Sequence, residues 1–356
     1  MPRPRLIRVF LQSDPMSKMH APLAQLAADF SGAEFAFGLT PNLKGGGATP
    51  DFLQKCEVMI ISPFTGGGDE NHLIATVAAL PNLKWVHSLA AGVDKFVGTL
   101  RRQPATQHLP LTNARGAYSY ALGEYALFAM LYFNKQARRL NALQQAKQWD
   151  PFCMDSLRGK TLGFIAFGSI GEACWQLAKT LPWSRVLVHR RTRTRDDEFS
   201  EDFPTWENPS TNNRENAMEK LIGYASREDV FAKADVVICS LPGTEETRHY
   251  CDMASFSLMK DGAIFISLGR GSCVDEEAVI EHAGRLGGVA LDVFEREPLP
   301  QSSPLWSHPN VLMSPHNADR IASYMSDGWD TFQERFNEYA AGKAFSDSIV
   351  DMGVGY

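Results

Sequence analysis

Three segments of the chain end in residues whose types suit the handling of protons and hydride. Ser267-Leu268-Gly269-Arg270-Gly271 sets an arginine between two glycines, Leu291-Asp292-Val293-Phe294-Glu295-Arg296-Glu297-Pro298 carries a carboxylate, and Ser314-Pro315-His316 carries an imidazole. Each follows a short apolar run that reads as a buried strand, so each would stand at a carboxyl end, where open α/β sheets bind ligands. An arginine there would hold a carboxylate and polarise a neighbouring carbonyl. A histidine would protonate the developing alkoxide, and a carboxylate would stabilise the imidazolium. Together they form a set for reducing a 2-oxo acid. Singly, Arg270 also reads as a loop cap, Glu297 as a surface carboxylate and His316 as a packed turn residue; their joint placement favours chemistry.

A fourth segment supplies a place for the hydride donor. Thr161 to Ala178 reads as a buried strand, a tight turn and a helix, with Phe167, Gly168, Ser169 and Ile170 in the turn. Gly168 would let backbone approach a pyrophosphate, Gly171 would let helix and strand pack closely, and the helix N-terminus would supply free N–H groups. Ala166 stands where the first glycine of such a turn usually lies, and the pattern alone is weak. The end of the next strand strengthens it. Where the adenosine ribose would lie stand Arg190, Arg191, Thr192 and Arg193, not an acidic residue. Guanidinium groups pair with a 2′-phosphate, so NADP is favoured over NAD. A solvated loop face and a nucleic-acid patch are the other readings of that run.

The elements that must position these residues follow from the apolar pattern. Short apolar runs alternate with amphipathic stretches, which predicts an α/β protein with two doubly wound parallel sheets. Predicted strands at Leu6 to Leu11, Glu34 to Gly38, Glu57 to Ser62 and Lys84 to Ser88, with helices at Pro15 to Ala28 and Asn71 to Ala79, make a small first sheet. One long helix is predicted from Tyr120 to Lys147, stopped by Pro151. Six strands follow, at Thr161 to Ala166, Arg185 to His189, Asp235 to Ser240, Ala263 to Ser267, Gly288 to Asp292 and Val311 to Ser314, as in a dinucleotide-type sheet. A last helix from Ile321 to Ala340 is expected to return to the first domain. The expected division is therefore a discontinuous domain, 1–119 with 320–356, around a dinucleotide-binding Rossmann domain, 120–319, that carries a polar inserted loop at about 194–216.

Composition narrows the partners. With 356 residues, 44% hydrophobic and a net charge of -6, the chain can bury two cores and offers no global basic field for nucleic acid. It has no apolar stretch of membrane-spanning length, and Arg3, Arg5 and Arg8 interrupt any secretory apolar region, so a cytoplasmic protein with no membrane partner is expected. The six cysteines show no Cys-x-x-Cys pair and no histidine at ligand spacing, so no metal site is expected, and Cys239 and Cys273 read as packed thiols.

The chain resembles the D-isomer-specific 2-hydroxyacid dehydrogenases, and six segments in family order carry the likeness. They are Trp85-Val86-His87-Ser88-Leu89-Ala90-Ala91-Gly92-Val93-Asp94, the turn at Gly168, Leu241-Pro242 with Glu246-Thr247, Gly269-Arg270-Gly271, Leu291-Asp292-Val293-Phe294 with Glu297-Pro298, and Pro315-His316. The resemblance implies a Rossmann domain inserted in a smaller flavodoxin-like substrate domain. It makes Arg270, Glu297 and His316 the catalytic residues, with Glu297 keeping imidazolium available at His316. Ala91, Gly92 and Val93 would receive the substrate carboxylate. The cofactor contacts would come from Phe167, Gly168, Ser169, Ile170, Arg190, Arg191, Thr192, Ser240, Leu241, Pro242, Thr247, Leu268, Gly269, Asp292 and His316, with Asp292 near the nicotinamide carboxamide. Reduction of a small 2-oxo acid by NADPH and a homodimer are implied. Glyoxylate and hydroxypyruvate lead as substrates, with larger 2-oxo acids open. A catalytically weak NAD(P)H-sensing binding protein of the same fold is the alternative.

Overall fold

The computed structural model describes residues 6–14, 17–18, 20–40, 48–62, 70–191 and 222–356. Contacts divide the chain into two units, Met1–Tyr118 with Ile321–Tyr356, and Ser119–Arg320. Thr192, Arg193 and the 194–216 insertion lie outside the described residues. No helix among the described residues is long and apolar enough to cross a membrane.

The first unit is a five-stranded parallel sheet of β1 (Ile7–Gln12), β2 (Ala33–Gly38), β3 (Cys56–Ile61), β4 (Trp85–Ser88) and β5 (Leu111–Asn113), in the order β2-β1-β3-β4-β5. That order is flavodoxin-like. β1 and β3 are buried along almost their whole length, as a parallel sheet covered on both faces requires. Beyond the predicted elements, the structure adds helices Pro50–Lys55 and Asp94–Arg102 and the strand β5. The first of these starts on Thr49, whose Oγ1 accepts the Phe52 N–H at 3.2 Å, with Pro50 in the opening turn. The last helix, Tyr324–Ala340, lays Trp329, Phe332 and Phe336 into this core, where Phe332 stacks on Trp85 with ring centroids 5.6 Å apart. Burying rings of this size stabilises by about 2–3 kcal/mol each.

His87 lies fully buried in the same core. Thr112 Oγ1 accepts the Trp85 indole N–H at 2.9 Å and lies 2.7 Å from His87 Nδ1, so the ring has a hydrogen-bond partner inside the core. Burial first, and then the charge of Arg335, push His87 down from 6.5 to about 3. An unfolded chain takes up this proton below 6.5 and the folded one does not, so stability is full above 6.5 and falls as pH drops toward 3. Urea unfolding across that range should show the decline, and His87→Gln should flatten it; an equal slope in both proteins would refute the assignment.

The second unit is a parallel sheet of β6 (Thr161–Ile165), β7 (Arg185–His189), β8 (Ile222–Tyr224), β9 (Val236–Cys239), β10 (Ile264–Ser267), β11 (Gly288–Leu291) and β12 (Val311–Met313). Its order is β12-β11-β10-β9-β6-β7-β8, so the direction of winding reverses between β6 and β9. Among the described residues the sheet has seven strands where six were expected. The extra one, β8, pairs with β7 at the sheet edge. It is three residues long with a glycine at its centre, too short to leave a periodic signal.

The long helix expected over Tyr120 to Lys147 is two helices, Ser119–Asn134 and Ala137–Ala146. Gln136 turns left-handed between them with φ of 50°, held as Lys135 Nζ donates to the Asp155 carbonyl at 2.6 Å and Gln136 Nε2 to that of Cys153 at 3.1 Å. The second helix ends at left-handed Lys147, not at Pro151. Cys239 and Cys273 are buried in the core beneath β9 and β10, and burial pushes the Cys273 thiol up to about 11, which suits packing.

Candidate active site

β6 runs into a turn whose backbone is unusual at one residue. Ala166 has φ of 73°, a left-handed conformation that glycine adopts freely and alanine at a cost. Its N–H is tied to the His189 carbonyl at 2.9 Å, which holds the turn against the end of β7. Ala166→Gly should therefore stabilise the fold by about 0.5–1 kcal/mol. A rise in the urea midpoint would show it, and a fall would mean that the lost methyl contact outweighs the relieved strain.

Beyond Ala166 the turn suits an anion. Gly168 caps helix Ser169–Ala178 without a side chain and so makes no capping bond to the first-turn N–H groups, and a Cβ placed on Gly168 would meet no atom within 4 Å. Phe167 packs edge-on to Phe164 and, with Ile170, against the core. At Gly171 a Cβ would lie 3.1 Å from the Ala166 carbonyl oxygen, so the glycine lets the helix close down on its own turn.

Arg270 stands between two positions where only glycine fits. A Cβ on Gly269 would lie 2.2 Å from the Leu241 carbonyl oxygen, and one on Gly271 would lie 2.0 Å from the Phe294 backbone. The segment is thus pinched between the chain leaving β9 and the chain leaving β11. This fixes where Arg270 begins. Its stem lies over Gly243, where a Cβ would come within 3.1 Å of Arg270 Cγ, and Nη1 donates to the Gly269 carbonyl at 3.0 Å. Ser240 and Leu241 line the same pinch, with Pro242 next in the chain and Leu268 just before Gly269. Leu241 and Leu268 bury their side chains, so what they offer a ligand is backbone.

His316 follows β12. Its Nδ1 lies 2.8 Å from Glu297 Oε2, both side chains being partly exposed, and Glu297 Oε1 accepts the Phe294 N–H at 3.1 Å. With Nδ1 engaged, Nε2 is the nitrogen left for a reacting group. The backbone of His316 is left-handed, φ 49°, and its N–H donates to the Asp292 carbonyl at 2.8 Å. Asp292, 2% exposed, uses Oδ1 to accept the N–H groups of Asn317 at 3.0 Å and Ala318 at 3.1 Å. Asp292 therefore supports the histidine's turn, a role the sequence did not disclose. Asp319, three residues on, is held above the usual carboxylate range, chiefly by burial, against the pull of His316.

Arg270, Glu297 and His316 thus follow β10, β11 and β12, three neighbours in the sheet, on the rim that carries the Gly168 turn. At the far side of that rim the Arg190 guanidinium sits 4.8 Å from the ring centre of Tyr224 on β8, while Arg191 is exposed. Thr247 Oγ1 donates to the Pro242 carbonyl at 2.5 Å and accepts the Thr244 N–H at 2.9 Å, so it braces this loop. Within the first unit, the segment Ala91 to Val93 leads from β4 into helix Asp94–Arg102. Asn113 Nδ2 donates to the Ala91 carbonyl at 2.7 Å, and the Val93 side chain is buried. Tyr125, Ser314, Tyr224 and Gly243 are the residues of this rim that sequence reasoning missed; only Ser314 had a signal, its place beside Pro315-His316.

A doubly wound sheet with a glycine turn at β6 and an Arg, Glu and His at three neighbouring strand ends defines a nucleotide-dependent oxidoreductase of the Rossmann class. Residues 127–318 match the family described as D-isomer specific 2-hydroxyacid dehydrogenase, NAD binding domain. The chain is 31% identical over 255 residues to glyoxylate reductase of Aeropyrum pernix, covering 67% of this chain and 68% of that one. It is similar in fold to a D-isomer specific 2-hydroxyacid dehydrogenase of Xanthobacter autotrophicus in complex with NADPH and MES, with TM-score 0.74, 23% identity and coverage of 98% and 99%. It is also similar to an NADPH-dependent glyoxylate/hydroxypyruvate reductase of Sinorhizobium meliloti in complex with NADP and sulfate, with TM-score 0.73, 22% identity and coverage of 99% and 100%. The protein belongs to the D-isomer-specific 2-hydroxyacid dehydrogenase family, and its second unit carries the family's NAD-binding domain.

Proposed function

We propose that the protein reduces a small 2-oxo acid to the D-2-hydroxy acid with NADPH. The observation that carries this reading is the Glu297–His316 pair, 2.8 Å apart, beside Arg270 on the rim that bears the dinucleotide turn. Bound nicotinamide supplies the hydride. The N–H groups of Ser169 and Ile170, which open the helix after Gly168, would hold the cofactor's pyrophosphate. Arg270 holds the substrate carboxylate and draws charge from the 2-carbonyl. Glu297 fixes the His316 ring through Nδ1, and Nε2 delivers a proton to the carbonyl oxygen as it gains charge. Relatives named as reductases favour this over a sensor without turnover.

Glyoxylate and hydroxypyruvate are the substrates that the names of the relatives support. A panel of 2-oxo acids assayed with NADPH and NADH in parallel tests the reading; no turnover of any acid with either nucleotide would overturn it. For the cofactor, Arg190→Ser with Arg191→Ser should raise the Kd for NADPH roughly 10- to 100-fold, as expected for lost charge-assisted bonds to a phosphate, and leave NADH within about threefold. Equal losses for both nucleotides would contradict selection of the 2′-phosphate. Six free cysteines support a reducing, cytoplasmic location. Exposed Tyr120, Phe128, Leu131 and Leu140 on helices Ser119–Asn134 and Ala137–Ala146, with the 97% exposed Trp149 just beyond them, support a homodimer built on these helices.

A further inference from the structure

We infer that Tyr125 is a positioning residue for the His316 proton donor, acting through Ser314 and Asp292. Ser314 Oγ lies 2.6 Å from Asp292 Oδ1 and 2.8 Å from Tyr125 Oη. A serine hydroxyl has one hydrogen. Oδ1 already accepts the Asn317 and Ala318 N–H groups, so the serine hydrogen goes to Asp292 and the phenol O–H donates to the serine oxygen. Burial pushes the Tyr125 phenol up to about 12, so it keeps that hydrogen throughout the neutral range.

The chain therefore runs from helix Ser119–Asn134 through Ser314 to the carboxylate around which residues 314–318 are wrapped. His316 sits inside that wrap with a left-handed backbone, φ 49°, its N–H on the Asp292 carbonyl. Such a conformation persists only where its surroundings impose it. Without the phenol hydroxyl, Ser314 loses the donor that sets its direction, and Asp292 loses a defined third ligand. The His316 ring then samples positions from which proton delivery is poorer. Arg270 is untouched, so substrate binding is retained.

The inference rests on His316 as proton donor, and the test separates the two. Tyr125→Phe keeps the ring, which packs against Phe128 at 6.0 Å, and removes only the hydroxyl. Tyr125→Phe, Ser314→Ala and the double variant are compared in steady state with NADPH and the best 2-oxo acid. Each single change should lower kcat about three- to tenfold and leave KM within about twofold, as for one neutral hydrogen bond felt only in the transition state. The double variant should be no slower than Ser314→Ala, because the two residues are links of one chain. Wild-type kcat in Tyr125→Phe, a rise in KM alone, or losses that multiply would each overturn the inference. Should Ser314→Ala not fold, the kcat of Tyr125→Phe decides alone. His316→Gln is the control: if it keeps wild-type kcat, the reading beneath falls, whereas an impaired His316→Gln beside a fully active Tyr125→Phe overturns the positioning role only.

Discussion

Replacing His316 by Gln should lower kcat for 2-oxo acid reduction about a hundred- to ten-thousandfold, the range set by general acids elsewhere. Glutamine is close in size and keeps a hydrogen-bonding group near Glu297, but it has no proton to yield to an oxygen that is gaining charge. The loss should therefore fall on kcat, with KM for the acid and Kd for the nucleotide within about threefold. The Asp292 contacts to the backbone of residues 316–318 do not depend on the side chain, so the fold should hold. Steady-state kinetics with a thermal unfolding curve would show both. A variant within tenfold of wild type would assign the proton to another group.

Arg270 carries the second large effect. Arg270→Met should reduce kcat/KM about a hundred- to ten-thousandfold, because in the proposed mechanism the guanidinium binds the carboxylate in the ground state and the polarised carbonyl more strongly in the transition state. Methionine preserves much of the stem that packs over Gly243, so little stability is at risk. Arg270→Lys should recover only part of the loss. A lysine keeps the charge without the planar fork, and Gly269 and Gly271 fix its starting point too tightly for it to adapt. Full activity in Arg270→Lys would mean that charge alone is needed and that the pinch has no bearing on substrate geometry.

The parts of the molecule that were legible in the sequence are those with local signals. β6, β7 and β9 to β12 are continuous apolar runs between turn residues, so each was expected within about two residues of where it lies. Arg270, Glu297 and His316 were legible because each follows such a run. What escaped depends on contacts distant in the chain. The apolar spacing runs straight through Lys135 and Gln136, and the break there is imposed by carbonyls of residues 153 and 155. β8 and β5 are three residues each, too short for a period. Tyr125 and Ser314 are 189 positions apart, and nothing in either neighbourhood names the other. The support beneath Arg270, Glu297 and His316 is tertiary, and the local pattern that singles out these residues carries no trace of it.

Reduction on the proposed rim would give one hand of the alcohol. The direct measurement is the product of hydroxypyruvate and NADPH, with nucleotide oxidation followed by absorbance and the glycerate resolved on a chiral column. Stoichiometric oxidation and D-glycerate are expected, both abolished or nearly so in His316→Gln. L-glycerate, a racemate, or oxidation that His316→Gln leaves unchanged would contradict it.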